Sequence, residues 1–170
     1  QIPMINSREE AEAAVRAVKF HPRGNRGLAG SRPANFGQTQ PFSFKEYTAQ
    51  SNAETMVIAQ VETAQAVEAL PEIVQVPDID VIFIGPRDLA TSMGHFNDPG
   101  HPEVQAAITS IESKVLSTGK ALATITGSWA QAQERYAKGY QMLTLMSDAV
   151  TLANMANETV RRFKAAYEAK

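Results

Sequence analysis

Five times in this chain a short, almost continuously apolar run gives way to a segment of helical periodicity. The runs are Ile2 to Ile5, Met56 to Val61, Ile79 to Ile84, Ala121 to Ile125 and Met142 to Met146. A half-exposed strand alternates polar and apolar residues, so Met56-Val57-Ile58-Ala59-Gln60-Val61 predicts a strand covered on both faces. Buried strands separated by helices predict a parallel sheet, because parallel neighbours need a crossover and a helix supplies it. Two α/β architectures satisfy the pattern. An open doubly wound sheet would be complete at 170 residues, whereas a (β/α)8 TIM barrel takes roughly 250. The chain opens inside a strand-like segment with no turn before it, which favours a barrel whose N-terminal strands precede residue 1.

The helices carry their own start and stop signals. Ser7 and Glu10 form a capping box ahead of Ala11, Ala14, Val15 and Val18, and Ser128 with Gln131 opens another helix. Thr63 to Leu70 reads as a helix closed by Pro71. Val104, Ala107, Ile108, Ile111 and Val115 trace one apolar face before Gly119, and Gly139 ends a further helix. Ser147-Asp148 starts the last one, whose face of Leu152, Met155, Ala156, Val160, Phe163 and Tyr167 reads as core. Residues 21 to 41, rich in Gly, Pro, Asn and Arg, are long for a connector and predict a segment lying over a site or an interface. Only Gly27-Leu28-Ala29 suggests an extended piece there, and Phe44 to Ala49 a short helix. Residues 1–170 read as a single domain.

Charge and composition exclude several functions. Sixteen Lys and Arg, scattered against 18 Asp and Glu, leave a net charge of -2, a poor match to nucleic acid. No run approaches the ~20 apolar residues of a membrane helix, and no secretory leader pattern is present. With no Cys a disulfide framework is impossible, in keeping with a reducing, cytoplasmic setting.

The chemistry is expected where strands end. Glu62 and Asp88 each lie just beyond a buried strand, and parallel strands one βα unit apart deliver their carboxyl ends to the same face, where α/β proteins bind ligands. Two hard oxygen donors with room for water suit Mg²⁺ or Mn²⁺ better than Zn²⁺. Gln60, two residues before Glu62, points to the same side. Equally, each acid could simply complement the dipole of a helix that starts there. Gly85-Pro86 favours the binding reading, because glycine admits a ligand close to the backbone. Ile125 and Thr126 end a strand on the same rim. Arg26 and Arg32 flank a glycine-rich loop and read as solvated; His21, His95 and His101 read as surface or structural residues. Lys19, Lys45, Lys114, Lys120 and Lys138 read as solvated, outside any catalytic position.

Ile2-Pro3-Met4, Arg26-Gly27, Val57 to Thr63 (VIAQVET) and Phe83 to Leu89 (FIGPRDL), with Met93-Gly94, His101-Pro102 and Ser147-Asp148 behind them, resemble the HpcH/HpaI aldolase family over the whole chain. That family includes 4-hydroxy-2-oxoheptanedioate, 2-keto-3-deoxyrhamnonate and 2-dehydro-3-deoxyglucarate aldolases. The resemblance implies a barrel of the pyruvate/phosphoenolpyruvate type, of which this chain is the last five strand-helix units, in a homo-oligomer, usually a hexamer, with the face from Leu152 to Tyr167 docking onto a partner subunit as the alternative to core. It further implies a divalent metal, Mg²⁺ or Mn²⁺ with Co²⁺ also admissible, held by Glu62 and Asp88. Pyruvate would chelate that metal, contacted by Gln60 and by backbone N–H groups at Arg87 and Asp88, with a small aldehyde as co-substrate near Ile125. Class II aldol chemistry follows: the metal polarises the keto group, the methyl carbon loses a proton, and the enolate attacks the aldehyde without a Schiff-base lysine. Relatives carry a small residue where this chain has Arg87. Their base-assisting histidine and enolate-stabilising arginine match positions upstream of residue 1. A citrate-lyase-beta-like or malyl-CoA-type lyase would share the acidic pair, and a catalytically incomplete fragment of the barrel is the third alternative.

Overall fold

A computed structural model describes residues 1–167. Four strands, β1 (Ile58–Val61), β2 (Val81–Ile84), β3 (Ala121–Ile125) and β4 (Met142–Thr144), lie side by side in chain order, and every neighbouring pair is parallel. Between them run α3 (Ala64–Ile73), then α4 (Pro86–Ser92) and α5 (Pro102–Leu116), then α6 (Trp129–Ala137). Before the sheet come α1 (Arg8–Val18), a kinked 3₁₀ stretch (Arg32–Gly37) and α2 (Phe44–Glu54); after it comes α7 (Asp148–Tyr167). A doubly wound sheet reverses its strand order at a switch point, whereas here the order runs 1-2-3-4 without reversal, as in a barrel wall. No helix among the described residues is long and apolar enough to cross a membrane.

The sheet has two unlike faces. Ala59, Val61, Ile82, Ile84 and Leu122 face the helices and join Leu70, Ile73, Ile108, Ile111 and Val115 in the main core. On the other face Ile58, Val81, Phe83 and Ala123 form a separate, smaller cluster. The register explains the division: Ile58 pairs with Val81, Gln60 with Phe83, and Phe83 with Ala123. Because side chains alternate at period two, Gln60 shares the second face, and continuing two residues along each strand brings Glu62, Gly85 and Ile125 to it.

Several elements depart from the sequence expectation. Ile2 to Ile5 is not a fifth strand; Ile2 makes one parallel bridge to Ala59, donating its N–H to Ile58 O and accepting from Gln60 N–H. Pro3 has no N–H to give and Met4 turns to φ 55, so the ladder is broken there, and it is Ile5 that next donates to β1, at Gln60 O. The helix predicted over Phe44 to Ala49 runs to Glu54, and Pro71 does not close α3, which continues through it to Ile73 with the Val74 N–H still donating to Leu70 O. The last helix buries none of its residues: Leu152, Met155, Val160, Phe163 and Tyr167 are all exposed. Periodicity identified the apolar face correctly but not what would cover it.

Two lysines read as solvated are structural. Lys19 is 2% exposed and its Nζ donates to the carbonyls of Asn52 and Thr55, while Lys120 Nζ donates to those of Val76 and Ile79. Burial lowers the pKa of both. They fasten the chain as it enters β1 and β2, at the sheet end opposite Glu62.

Candidate active site

At the carboxyl end of β1 the chain must leave the sheet and enter α3. Thr63 makes the change by capping α3, its Oγ1 accepting the Ala66 N–H at 3.0 Å. Glu62, immediately before it, is 2% exposed. Its Oε1 accepts the Met4 N–H at 2.9 Å and its Oε2 the Gln60 side-chain amide at 2.5 Å. Gln1 Nε2 donates to Gln60 Oε1 at 2.7 Å, so the amide that orients Glu62 is itself oriented.

Gly85 lies beside this carboxylate because Val61 and Ile84 are register partners and each chain advances one residue beyond them. A Cβ added at Gly85 would collide with Glu62 Oε2 and stand 2.9 Å from Glu62 Cβ. Glycine is required there for space, since its φ of -100 suits any residue. Pro86 then opens α4, whose first turn places Arg87 and Asp88 just past the cradle. Both are exposed, and among the described residues neither enters an ion pair. First-turn N–H groups have no intrahelical acceptor, which leaves the Arg87 and Asp88 amides free for a ligand.

Glu62, Gln60 and Gly85 thus meet, and Asp88 follows in the first turn of α4. Ile125 is exposed at the end of β3, with β2 between it and Glu62. Thr126 is buried and its hydroxyl donates to Thr144 O at 3.3 Å, so of this pair only Ile125 is open to a ligand. The segment from 21 to 41 contributes Arg26 and Pro33 to a pocket of about 400 Å³ against Tyr47, Gln50 and Glu54 of α2, and these residues are not those around Glu62. Arg26 stacks over the Phe20 ring at 4.6 Å and donates to Ser51 Oγ.

Sequence reasoning missed Met4. Its positive φ is a costly conformation for a side chain of that size, and it aims the backbone N–H at Glu62. Asn6 supports the turn, donating from Nδ2 to Met4 O at 2.7 Å and accepting from Thr63 Oγ1. A backbone donor reached across the fold leaves no mark on side-chain patterns; only the Asn-Ser turn signal nearby pointed to it.

The profile of the HpcH/HpaI aldolase/citrate lyase family matches residues 1–155. Among curated proteins, the chain is 37% identical over 166 residues to a hydroxypyruvate/pyruvate aldolase of Chromohalobacter salexigens, covering 96% of this chain and 63% of the relative. It is 36% identical to a 4-hydroxy-2-oxo-heptane-1,7-dioate aldolase of Klebsiella pneumoniae, covering 95% and 60%. A crystal structure of a family protein from Burkholderia cenocepacia superposes with a TM-score of 0.84 at 32% identity, over 96% of this chain and 63% of that one. The chain therefore spans about three fifths of the length of the relatives it matches. Such structural neighbours are of the (β/α)8 type, consistent with the sequential parallel sheet. With its family profile, its aldolase relatives and its barrel-wall sheet in agreement, the chain belongs to the HpcH/HpaI aldolase/citrate lyase family.

Proposed function

We propose that this chain carries the metal- and pyruvate-binding part of a class II aldolase, a carbon-carbon lyase that cleaves or forms a 4-hydroxy-2-oxo acid to or from pyruvate and a small aldehyde. One observation carries the reading. Glu62 is a buried carboxylate whose partners, an amide side chain and a backbone N–H, are neutral, and no Lys, Arg or His among the described residues is in ion-pair reach of it. A buried charge without an opposite charge costs several kcal/mol, and a cation shared with Asp88 would offset that cost.

The donor set agrees with the proposal. Glu62 and Asp88 offer hard oxygens, which suit Mg²⁺, Mn²⁺ or Co²⁺, and Gly85 keeps the space beside Glu62 free of side chain. When bound, such a cation supplies Lewis-acid polarisation of a keto group. Gln60 holds Glu62 in place and has a second amide N–H for a bound acid. The Arg87 and Asp88 N–H groups donate to the pyruvate carboxylate, and Ile125 offers an apolar wall to the aldehyde. Proton transfer falls to the histidine and arginine that relatives carry upstream of the segment matched here. Residues 1–170 then belong to one barrel domain of a cytoplasmic homo-oligomer, the last three residues lying outside those described.

Titrating pyruvate calorimetrically into the Mn²⁺-loaded protein tests this reading. Wild type is expected to give binding heat that a Glu62→Gln, Asp88→Asn double variant lacks. Equal heats from the two would reject the assignment, and turnover of a CoA ester in place of a 4-hydroxy-2-oxo acid would reassign the substrate to the lyase branch.

A further inference from the structure

The loop between α4 and α5 brings together three metal-ligating side chains that have no part in the site above. His95 and His101 stack ring on ring, with centroids 3.5 Å apart and planes 14° from parallel. Glu103, the second residue of α5, reaches back so that its Oε2 lies 2.9 Å from His95 Nε2. One donor atom from each of the three falls within 4.8 Å of the others. Both imidazoles are half-buried.

The backbone beneath them is fastened. His95 donates its N–H to Ala90 O at 2.8 Å, Asp98 to His95 O at 3.0 Å, and His101 to Asp98 O at 3.2 Å. Asp98 Oδ1 also accepts the Gly100 N–H, and Gln105 Nε2 donates to Pro99 O at 2.7 Å. The donors therefore start from a defined loop. His101 additionally caps α5, its Nδ1 accepting the Glu103 N–H at 3.3 Å, which leaves its Nε2 free.

From this convergence we propose that His95, His101 and Glu103 form a second cation site, specific for borderline transition metals of the Zn²⁺ class and separate from the carboxylate pair. Two imidazole nitrogens and one carboxylate oxygen make up the set that Zn²⁺, Co²⁺ and Ni²⁺ accept and that Mg²⁺ binds poorly. An ion lies in the plane of each imidazole it binds, so one ring must turn out of the parallel stack before both nitrogens reach the same cation. Water then completes the coordination, because three protein ligands leave a position open. The cation would replace an ion pair that solvent weakens, Glu103 being exposed, and would pin the 93–101 loop to the start of α5. The two sites then sort metals by donor chemistry: oxygen-only at Glu62 and Asp88, nitrogen-rich at the loop. This inference does not depend on the aldolase reading.

The test is calorimetric titration of Zn²⁺, in excess Mg²⁺, into the Glu62→Gln, Asp88→Asn variant, so that the carboxylate pair contributes nothing. One equivalent is expected to bind. His95→Ala should weaken it about tenfold or more, as should His101→Asn, which keeps an N-cap acceptor so that α5 stays capped. His21→Ala, at an exposed histidine elsewhere, should leave it unchanged. Circular dichroism of each variant confirms folding. Absence of Zn²⁺ binding, or binding that survives both loop substitutions, overturns the site.

Discussion

Glu62 and Gly85 divide the work at the scale of single residues: one brings a charge into a nearly closed space and the other keeps that space open. Gly85→Ala should therefore hurt twice. The new methyl group must push the Glu62 carboxylate aside, which should cost about 1–3 kcal/mol in urea denaturation and also abolish Mn²⁺ binding at the site. Gly127→Ala is a suitable control, its nearest neighbour being the flexible end of Gln131 at 3.4 Å. Matched stability and Mn²⁺ affinity in the Gly85 variant and wild type would refute the cradle. The carboxylates were legible in the sequence because each follows a run of strand residues. Met4 and Gln1 were not, because they act through a backbone N–H and a side-chain relay, and neither depends on periodicity or charge.

Elements were legible where local chemistry decides them. Ser7, Thr63 and Ser128 cap α1, α3 and α6 through their hydroxyls, and β3 begins and ends where its apolar run does. What escaped was contact between elements. Tyr140 is buried ahead of β4, donating its hydroxyl to Glu112 Oε1 of α5 at 2.8 Å, while Arg135 of α6 donates to the same oxygen at 3.1 Å. Burial, reinforced by the Glu112 charge, raises the pKa of this phenol above the ordinary value of ~10. The unfolded chain thus releases the proton first. The stability owed to Tyr140 is complete below about pH 10 and declines as pH rises past it. Tyr140→Phe should cost about 1–2 kcal/mol near neutrality, and the gap between wild type and variant should narrow in alkali, as read by urea unfolding across that range. A gap that does not change with pH would contradict the account.

For the whole molecule, strand order separates the two architectures that the sequence left open. A sheet running 1-2-3-4 with its helices on one face is a length of barrel wall, and the family match over residues 1–155 agrees. α7 turns outward, within these three fifths of the relatives' length, the apolar face that reads as core, with Leu152 70% and Phe163 58% accessible. Apolar stripes of that kind mark association surfaces. In the homo-oligomer proposed above, Leu152→Glu combined with Phe163→Glu should shift sedimentation toward smaller species without loss of secondary structure; an unchanged distribution would place the contact elsewhere. The central claim, that Glu62 and Asp88 grip one divalent cation, is tested most directly by crystals grown with Mn²⁺ and pyruvate. An anomalous peak about 2 Å from one oxygen of each carboxylate is the predicted result. No peak between them, or a peak at His95 and His101 alone, would contradict it.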